Sequence, residues 1–263
     1  MVRAKKSLGQ HFLFDPVVVS QIIDALGPRP GETILEIGPG EGVLTLPLVN
    51  SGANIIAVEL DRRLAPKLEK HFEAHDNFRV IEADILSIDP REVGLDKFSM
   101  IGNLPYNITT PIMDWLLANH NVIDRAVLMM QKEVALRVSS PPGKRSRSTI
   151  SVLTSLFYDG EAVVDVPPEA FRPPPKVDSA VVRFVRHDRN YDIGDLARFE
   201  KFVRFCFAGK RKNLLNNLNS AYPLPREDLD RIIGDICGNP KIRAEQLELE
   251  TFIDLSRVIF ECL

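Results

Sequence analysis

Cysteine is scarce in this 263-residue chain: Cys206, Cys237 and Cys262 stand far apart, and no C-x-x-C pair occurs. That gives no basis for a disulfide framework or a thiolate zinc site, and isolated thiols are expected of a reducing cytoplasm. No apolar run approaches the roughly 20 residues that cross a bilayer. The basic opening MVRAKKSLGQHFLFDP has its apolar residues interrupted by Gln10, His11 and Asp15, so neither a membrane partner nor an export signal is expected. Excess positive charge is missing as well. Against 36 Asp and Glu stand 33 Lys and Arg, a formal net charge of −3. Any nucleic-acid contact must therefore come from local clusters. Repeats and low-complexity segments are absent. The length and the 44% hydrophobic content suffice for one large or two modest domains with a real core.

The pattern along the chain is strand alternating with helix. Asp15 and Pro16 read as the cap and first residue of a helix carrying Val18, Ile22, Ile23 and Leu26 on one face. TILEIG is a short buried strand, followed by a glycine loop and a helix from about Glu41 to Asn50. NIIAVEL, FRVIEAD, FSMIGN and AVLMMQ read as four more strands, with helices over 62–72, from Pro111 to Ala118 and in KEVALRV. This order predicts a mostly parallel α/β sheet. After the basic loop PPGKRSRS and a helix over 149–157, EAVVDVPP and SAVVRFV form two strands joined by FRPPPKVD. With no full helix between them, they predict an antiparallel pair closing the sheet. Only helical stretches follow, over 197–207, 211–218, 226–236 and 251–260. The expected division is 1–188 and 189–263.

In EIGPGEG, Gly38, Gly40 and Gly42 lie between a strand and a helix, where bare backbone permits a tight turn and close approach of a ligand. Glu59, about twenty residues on, ends the next strand, where a carboxylate can accept both hydroxyls of a ribose. The spacing is G-x-G-x-G, not the dinucleotide G-x-G-x-x-G. Glu36 and Glu41 flank the loop, so a cationic nucleoside suits it better than a diphosphate. Asp84 ends the third strand, where it can accept from an adenine amino group. MIGNLPYNIT poses a sharper question. An apolar strand stops at Gly102, and Asn103, Leu104, Pro105 and Tyr106 follow at its end.

LGQHFL, EIGPGEG, VELD, EADIL, GNLPYNI, QKEVA, FRPPPKVDSAVV and GKRKNL occur in this order, from near Ser7 to about Leu218. Together they resemble the ribosomal RNA adenine dimethyltransferase family of class I S-adenosylmethionine methyltransferases. The resemblance implies a Rossmann-like seven-stranded α/β domain followed by a small all-helical domain. It implies transfer of methyl groups from S-adenosylmethionine, leaving S-adenosylhomocysteine, to the N6 of two adjacent adenosines near the 3′ end of small-subunit rRNA. No metal is called for. Carried over residue by residue, cofactor contacts fall at His11, Leu13, Gly38, Gly40, Glu59, Asp84, Ile85 and Asn103. This chain departs from the family at His11, usually Asn and a contact through backbone atoms, and at Leu136, often Glu.

That resemblance answers the question of GNLPY. An adenine amine is a weak nucleophile because its lone pair is delocalised into the ring. Asn103 Oδ1 and the Leu104 carbonyl can accept its two N–H bonds and offset developing charge. Pro105 fixes the backbone that holds the carbonyl. Tyr106 can stack on the extruded base, and Phe171 is expected to form the other side of the slot. RNA contact is expected from Arg3, Lys5 and Lys6, from Lys144, Arg145 and Arg147, and from Lys201, Arg204, Lys210, Arg211 and Lys212. The expected partner is rRNA within an immature small-subunit particle, met by a monomer. Two readings stay open beside this one: a large-subunit rRNA adenine methylase of the antibiotic-resistance type, and a non-catalytic ribosome-assembly factor. An NAD-dependent oxidoreductase is disfavoured by the glycine spacing.

Overall fold

The computed structural model describes residues 5, 9–209 and 211–263. In chain order the elements are β1 (Phe12–Leu13), α1 (Pro16–Leu26), β2 (Thr33–Ile37), α2 (Thr45–Asn50), β3 (Asn54–Glu59), α3 (Ala65–His71), β4 (Phe78–Glu82), β5 (Phe98–Asn103), α4 (Thr109–Ala118), β6 (Ile123–Gln131) and α5 (Lys132–Val138). Then come α6 (Thr149–Thr154), β7 (Tyr158–Val166), β8 (Phe171–Arg172), β9 (Ser179–Arg186), α7 (Leu196–Cys206), α8 (Leu214–Asn219), α9 (Arg226–Cys237) and α10 (Leu249–Glu261).

Local chemistry accounts for the boundaries. Asp15 accepts from the Val17 and Val18 N–H groups at 2.8 and 3.3 Å, which satisfies donors that the first turn of α1 leaves unpaired. Gly27 ends α1 in a left-handed conformation, φ 59°, and donates to the Ile23 carbonyl. Val18, Ile22 and Leu26, spaced by four, are its buried face. After the glycine loop the chain makes turns over 41–44, and α2 begins only at Thr45 rather than at Glu41.

Seven strands form one sheet in the order β4-β3-β2-β5-β6-β9-β7. The pairs from β4 through β6 are parallel, and β6 with β9 is antiparallel. From β2 the chain proceeds to β3 and β4 on one side, then returns to place β5 and β6 on the other. The reversal between β2 and β5 opens a crevice at the carboxyl ends of these strands, where open α/β sheets bind ligands. Ile34, Leu35, Ile37, Ile55, Val58, Met100 and Ile101 are buried, the near-continuous apolar reading of parallel strands covered on both faces. A second, two-stranded sheet was not legible in the sequence. β1 pairs antiparallel with β8, placing Phe12 opposite Arg172 and Leu13 opposite Phe171.

By internal contacts the chain forms two compact units. The residues up to 135 join 159–186 in one; residues 136–158 join 187–263 in the other. The first holds the sheet. The second is helical and has its own core, with Phe199, Phe202, Leu214, Leu218, Ile233, Phe252 and Leu255 buried. No helix among the described residues is long and apolar enough to cross a membrane.

Candidate active site

The carboxyl ends of β2 to β5 open on one cleft, bordered by the loop before β1. Glu36 lies in β2, one residue before its end, and is 1% exposed. Its Oε2 accepts from Thr45 Oγ1 at 2.7 Å, while Oε1 has no partner among the described residues. Burial pushes this carboxyl up to about 8; the Thr45 hydrogen bond lowers it and nearby Glu59 raises it further. A cation entering the cleft would favour the ionised form of this buried, half-satisfied carboxyl and draw it back down. Gly38 follows with φ 62° and nothing within 4 Å of the position a Cβ would take, so bare backbone faces open space. Gly42 is needed for packing, because a methyl there would meet the Phe72 ring at 3.0 Å.

Glu59 ends β3. The Gly40 N–H donates to its Oε2 at 3.1 Å and the Asp61 N–H to its Oε1 at 2.8 Å. Burial raises its carboxyl, and these two N–H groups partly offset the rise. The same hydrogen bonds fix both oxygens in direction, which suits a carboxylate meant for paired hydroxyls. Two residues on, Asp61 is 1% exposed and gathers Arg63, Gln10 and Lys5: Arg63 Nη2 lies at 2.6 Å, Gln10 Nε2 at 3.1 Å and Lys5 Nζ at 3.2 Å. Arg63 above all holds this carboxyl well below the usual range. The sequence reading missed this anchor, whose only local signal is the final residue of VELD.

Asp84 stands exposed at the cleft and caps its own turn, accepting from the Leu86 N–H at 3.0 Å. Ile85 beside it is buried. At the end of β5, Asn103 Nδ2 donates to the His11 carbonyl at 2.9 Å. This leaves Oδ1 as the acceptor of that amide. The Leu104 N–H donates to the Met129 carbonyl at 3.0 Å, which fixes the backbone just before the Leu104 carbonyl. Tyr106 is half-buried, its hydroxyl 2.7 Å from the Oγ of fully buried Ser179. Burial raises the Tyr106 hydroxyl, so it stays protonated. Its ring stacks on that of His11, with centroids 5.7 Å apart and planes at 24°.

The structure thus brings His11, Leu13, Gly38, Gly40, Glu59, Asp84, Ile85, Asn103, Leu104, Pro105 and Tyr106 to one cleft. It does not bring Phe171 there. Phe171 is 2% exposed and belongs to the core with Leu13, Ala170 and Val181, because β8 turns it inward against β1. Arg147 is corrected too. It is 5% exposed, with Nη1 3.3 Å from the Ser140 carbonyl and Glu248 and Glu250 near enough to oppose the lowering that burial imposes. A side chain so placed offers no face to a phosphate. Lys144, Arg145, Lys201, Arg204, Arg211 and Lys212 are exposed. Arg3, Lys6 and Lys210 lie outside the described residues. Ser179, the partner of Tyr106, was also missed; it sits in the quoted segment PPPKVDSAVV, but nothing local marks a contact 73 residues away.

Over residues 1–258 the chain matches the family model for the ribosomal RNA adenine dimethylase. The ribosomal RNA small subunit methyltransferase A of Acidobacterium capsulatum is 40% identical over 260 residues, 97% of this chain and 91% of that protein. A crystal structure of a dimethyladenosine transferase from Plasmodium falciparum superposes with a TM-score of 0.78 at 27% identity, covering 93% of this chain and 96% of that one. The crystal structure of the 23S rRNA methyltransferase ErmE gives 0.76 at 30% identity, over 95% and 99%.

Proposed function

The chain belongs to the ribosomal RNA adenine dimethylase family, and from that premise we propose that it dimethylates N6 of adenines in small-subunit rRNA with S-adenosylmethionine as donor. The observation that carries this reading is the Asn103 amide, its nitrogen held by the His11 carbonyl and its oxygen left as acceptor beside Tyr106. The substrate is two adjacent adenosines near the 3′ end, met in an immature particle by a monomeric, cytoplasmic enzyme. The small-subunit relative, at 40% identity over 97% of the chain, supports this over the large-subunit reading, whose structural relative stands at 30%.

The cleft fits S-adenosylmethionine on three counts. The unpartnered Glu36 Oε1 suits a cationic ligand, Gly38 presents bare backbone, and the Glu59 carboxylate is pre-aimed by two N–H groups. Glu59 would hold the ribose hydroxyls and Asp84 with Ile85 the adenine end. When bound, this cofactor supplies a methyl group activated by a sulfonium. The protein supplies orientation. Asn103 Oδ1 and the Leu104 carbonyl accept the two N–H bonds of the target amine. That turns its lone pair toward the cofactor and stabilises the positive charge that grows on nitrogen. Tyr106 offers a flat face to the base, and Ser179 holds that ring in place. The proton leaves once the amine has become cationic, so a strong general base is unnecessary. No metal is required by this chemistry.

RNA docking draws on Lys144, Arg145, Arg211 and Lys212, with Lys210 beside them in sequence. Residues 189–263 act as the RNA-contacting domain of this reading. The test is to incubate the protein with methyl-labelled S-adenosylmethionine and either immature small subunits or large subunits, then map the label. Label as dimethyladenosine near the 3′ end of small-subunit rRNA is expected. Label on the large subunit alone would establish the other reading.

A further inference from the structure

We propose that Arg172, held flat against the Phe14 ring, grips a backbone phosphate of the RNA strand beside the target adenosine. The proposal rests on the adenine-methylating reading above and deepens it. Arg172 stands outside the basic runs of the chain, and nothing local in the sequence couples it to Phe14.

Backbone pairing builds the stack. β1 and β8 run antiparallel, with Phe12 opposite Arg172 and Leu13 opposite Phe171. The Phe14 N–H donates to the Ala170 carbonyl at 3.0 Å and carries the ladder one residue further. Side chains alternate between the two faces of such a pair. Leu13 and Phe171 take the inner face and are buried. Phe12, Phe14 and Arg172 therefore share the other. Phe12 lines the cleft, its ring 3.2 Å from where a Cβ on Gly40 would stand, while Phe14 and Arg172 lie beyond the lining. Phe14 is 44% exposed, and Arg172 is exposed as well. The guanidinium carbon of Arg172 sits 4.4 Å from the centroid of the Phe14 ring. The next residue, Pro173, has its carbonyl 2.7 Å from His11 Nδ1, which anchors the pair at the mouth of the cleft.

An arginine over an aromatic ring keeps its donors. The ring takes one face of the guanidinium, and the N–H groups point outward in its plane. Among the described residues no carboxylate pairs with Arg172. Asp15, the acid next to Phe14, is engaged by the Val17 and Val18 N–H groups. The result is an uncompensated cation whose plane is set in advance. It loses little freedom when it forms two parallel hydrogen bonds. A phosphate presents two oxygens to such a fork. A base that swings from its strand into a pocket leaves its flanking phosphates at the mouth. In a chain of net charge −3, one cation at that point sets where the strand lies more than how strongly the whole molecule attracts it.

The test compares Arg172→Gln, Arg172→Lys and Phe14→Leu in the full chain, with folding checked by urea titration. Binding to immature small subunits is measured across a salt series, with S-adenosylmethionine affinity alongside. Losing one phosphate contact on a single strand lowers the salt slope by about 0.7 units of log K per log salt. Arg172→Gln should show that change, with binding weaker by about threefold to tenfold and cofactor affinity level. Arg172→Lys should keep the slope and recover only part of the affinity, since an ammonium lacks the fork. Phe14→Leu should keep the slope and weaken binding, yet add nothing to Arg172→Gln, because Phe14 acts by holding Arg172. A stack that served the fold alone would lower stability and leave every slope in place, so coincident slopes for the wild type and Arg172→Gln would overturn the proposal. A fall in cofactor affinity at an unchanged slope would also overturn it, since Arg172 would then hold the cofactor carboxylate. Wild-type affinity in Arg172→Lys would overturn the forked grip, and this arm decides even if Arg172→Gln does not fold. The second readout is binding of a short RNA hairpin with an unpaired adenosine in its loop, which depends on no particular rRNA. If the wild type leaves small subunits unmethylated yet hairpin binding still loses salt slope in Arg172→Gln, the phosphate grip stands and the rRNA reading falls.

Discussion

Replacing Gly102 with Ala probes how firmly the sheet holds the Asn103 amide. Gly102 sits in β5 opposite Ile37 of β2. A methyl group there would lie 2.9 Å from the Ile37 carbonyl oxygen, 3.1 Å from the Ile37 Cβ and 3.3 Å from the Leu104 side chain. Gly102 is not among the glycines with positive φ, so alanine suits the backbone and the penalty is steric alone. Relaxed carbon–oxygen contacts between strands run from about 3.3 Å, so β2 and β5 must part by about 0.4 Å. The obstructing atom is backbone in a buried parallel pair, which cannot rotate away. Overpacking of this kind costs about 1–3 kcal/mol. The displacement passes directly to Asn103, the next residue. A 1 Å misplacement can cost about a hundredfold in rate, so a shift under half that size should cost about tenfold. Urea unfolding gives the first number. Single-turnover methylation of immature small subunits, under conditions where the variant is fully folded, gives the second. Unchanged stability with full turnover would refute the reasoning, because the β2–β5 register would then not be what positions Asn103.

Ser179→Ala removes the partner 2.7 Å from the Tyr106 hydroxyl; stability should fall by about 1 kcal/mol, and turnover should drop several-fold with cofactor affinity held, as kinetics and calorimetry on one preparation can check. Glu36 is raised from an ordinary 4.5 to about 8 in the fold. The folded state therefore binds the extra proton in that window, and stability contributed below pH 4.5 is lost as pH rises toward 8. Glu36→Gln should flatten this decline in urea titrations between pH 5 and 8, and an identical slope would show that Glu36 does not hold its proton there. Arg211 and Lys212 are exposed; changing both to Ala should lower the salt dependence of particle binding by about one to two units of log K per log salt, and coincident salt slopes would place the docking elsewhere.

Much of this site could be read from residues because its signals are local. The Asp15–Pro16 cap and Gly27 bound α1 where the pattern puts it. The glycines after β2, the glutamate ending β3 and the Asn-Leu-Pro-Tyr after β5 each sit at a strand end, and the alternation of strands and helices forces those ends onto one edge. What escaped notice depends on distant partners. Phe171 beside a proline run reads as a loop aromatic, and only the two-residue pairing of β8 with β1 turns it into the core. A pairing so short carries no periodicity to detect. Arg147 reads as part of a basic loop because Lys144 and Arg145 stand beside it in the proline-bounded PPGKRSRS; Glu248 and Glu250, a hundred residues later, are its surroundings. The late start of α2 follows from Gly42, whose φ of +84° is left-handed and breaks a right-handed helix, a conformation that the apolar pattern does not encode.

The central claim is that Asn103 orients an adenine amine for methyl transfer rather than serving the cofactor or the fold. Asn103→Ala tests it most directly, through single-turnover methylation of immature small subunits alongside S-adenosylmethionine affinity by calorimetry on the same folded preparation. Loss of an orienting acceptor predicts a rate lower by at least about a hundredfold, with much of the cofactor affinity retained. A near-normal rate, or a loss of rate fully explained by loss of cofactor binding, would contradict the account.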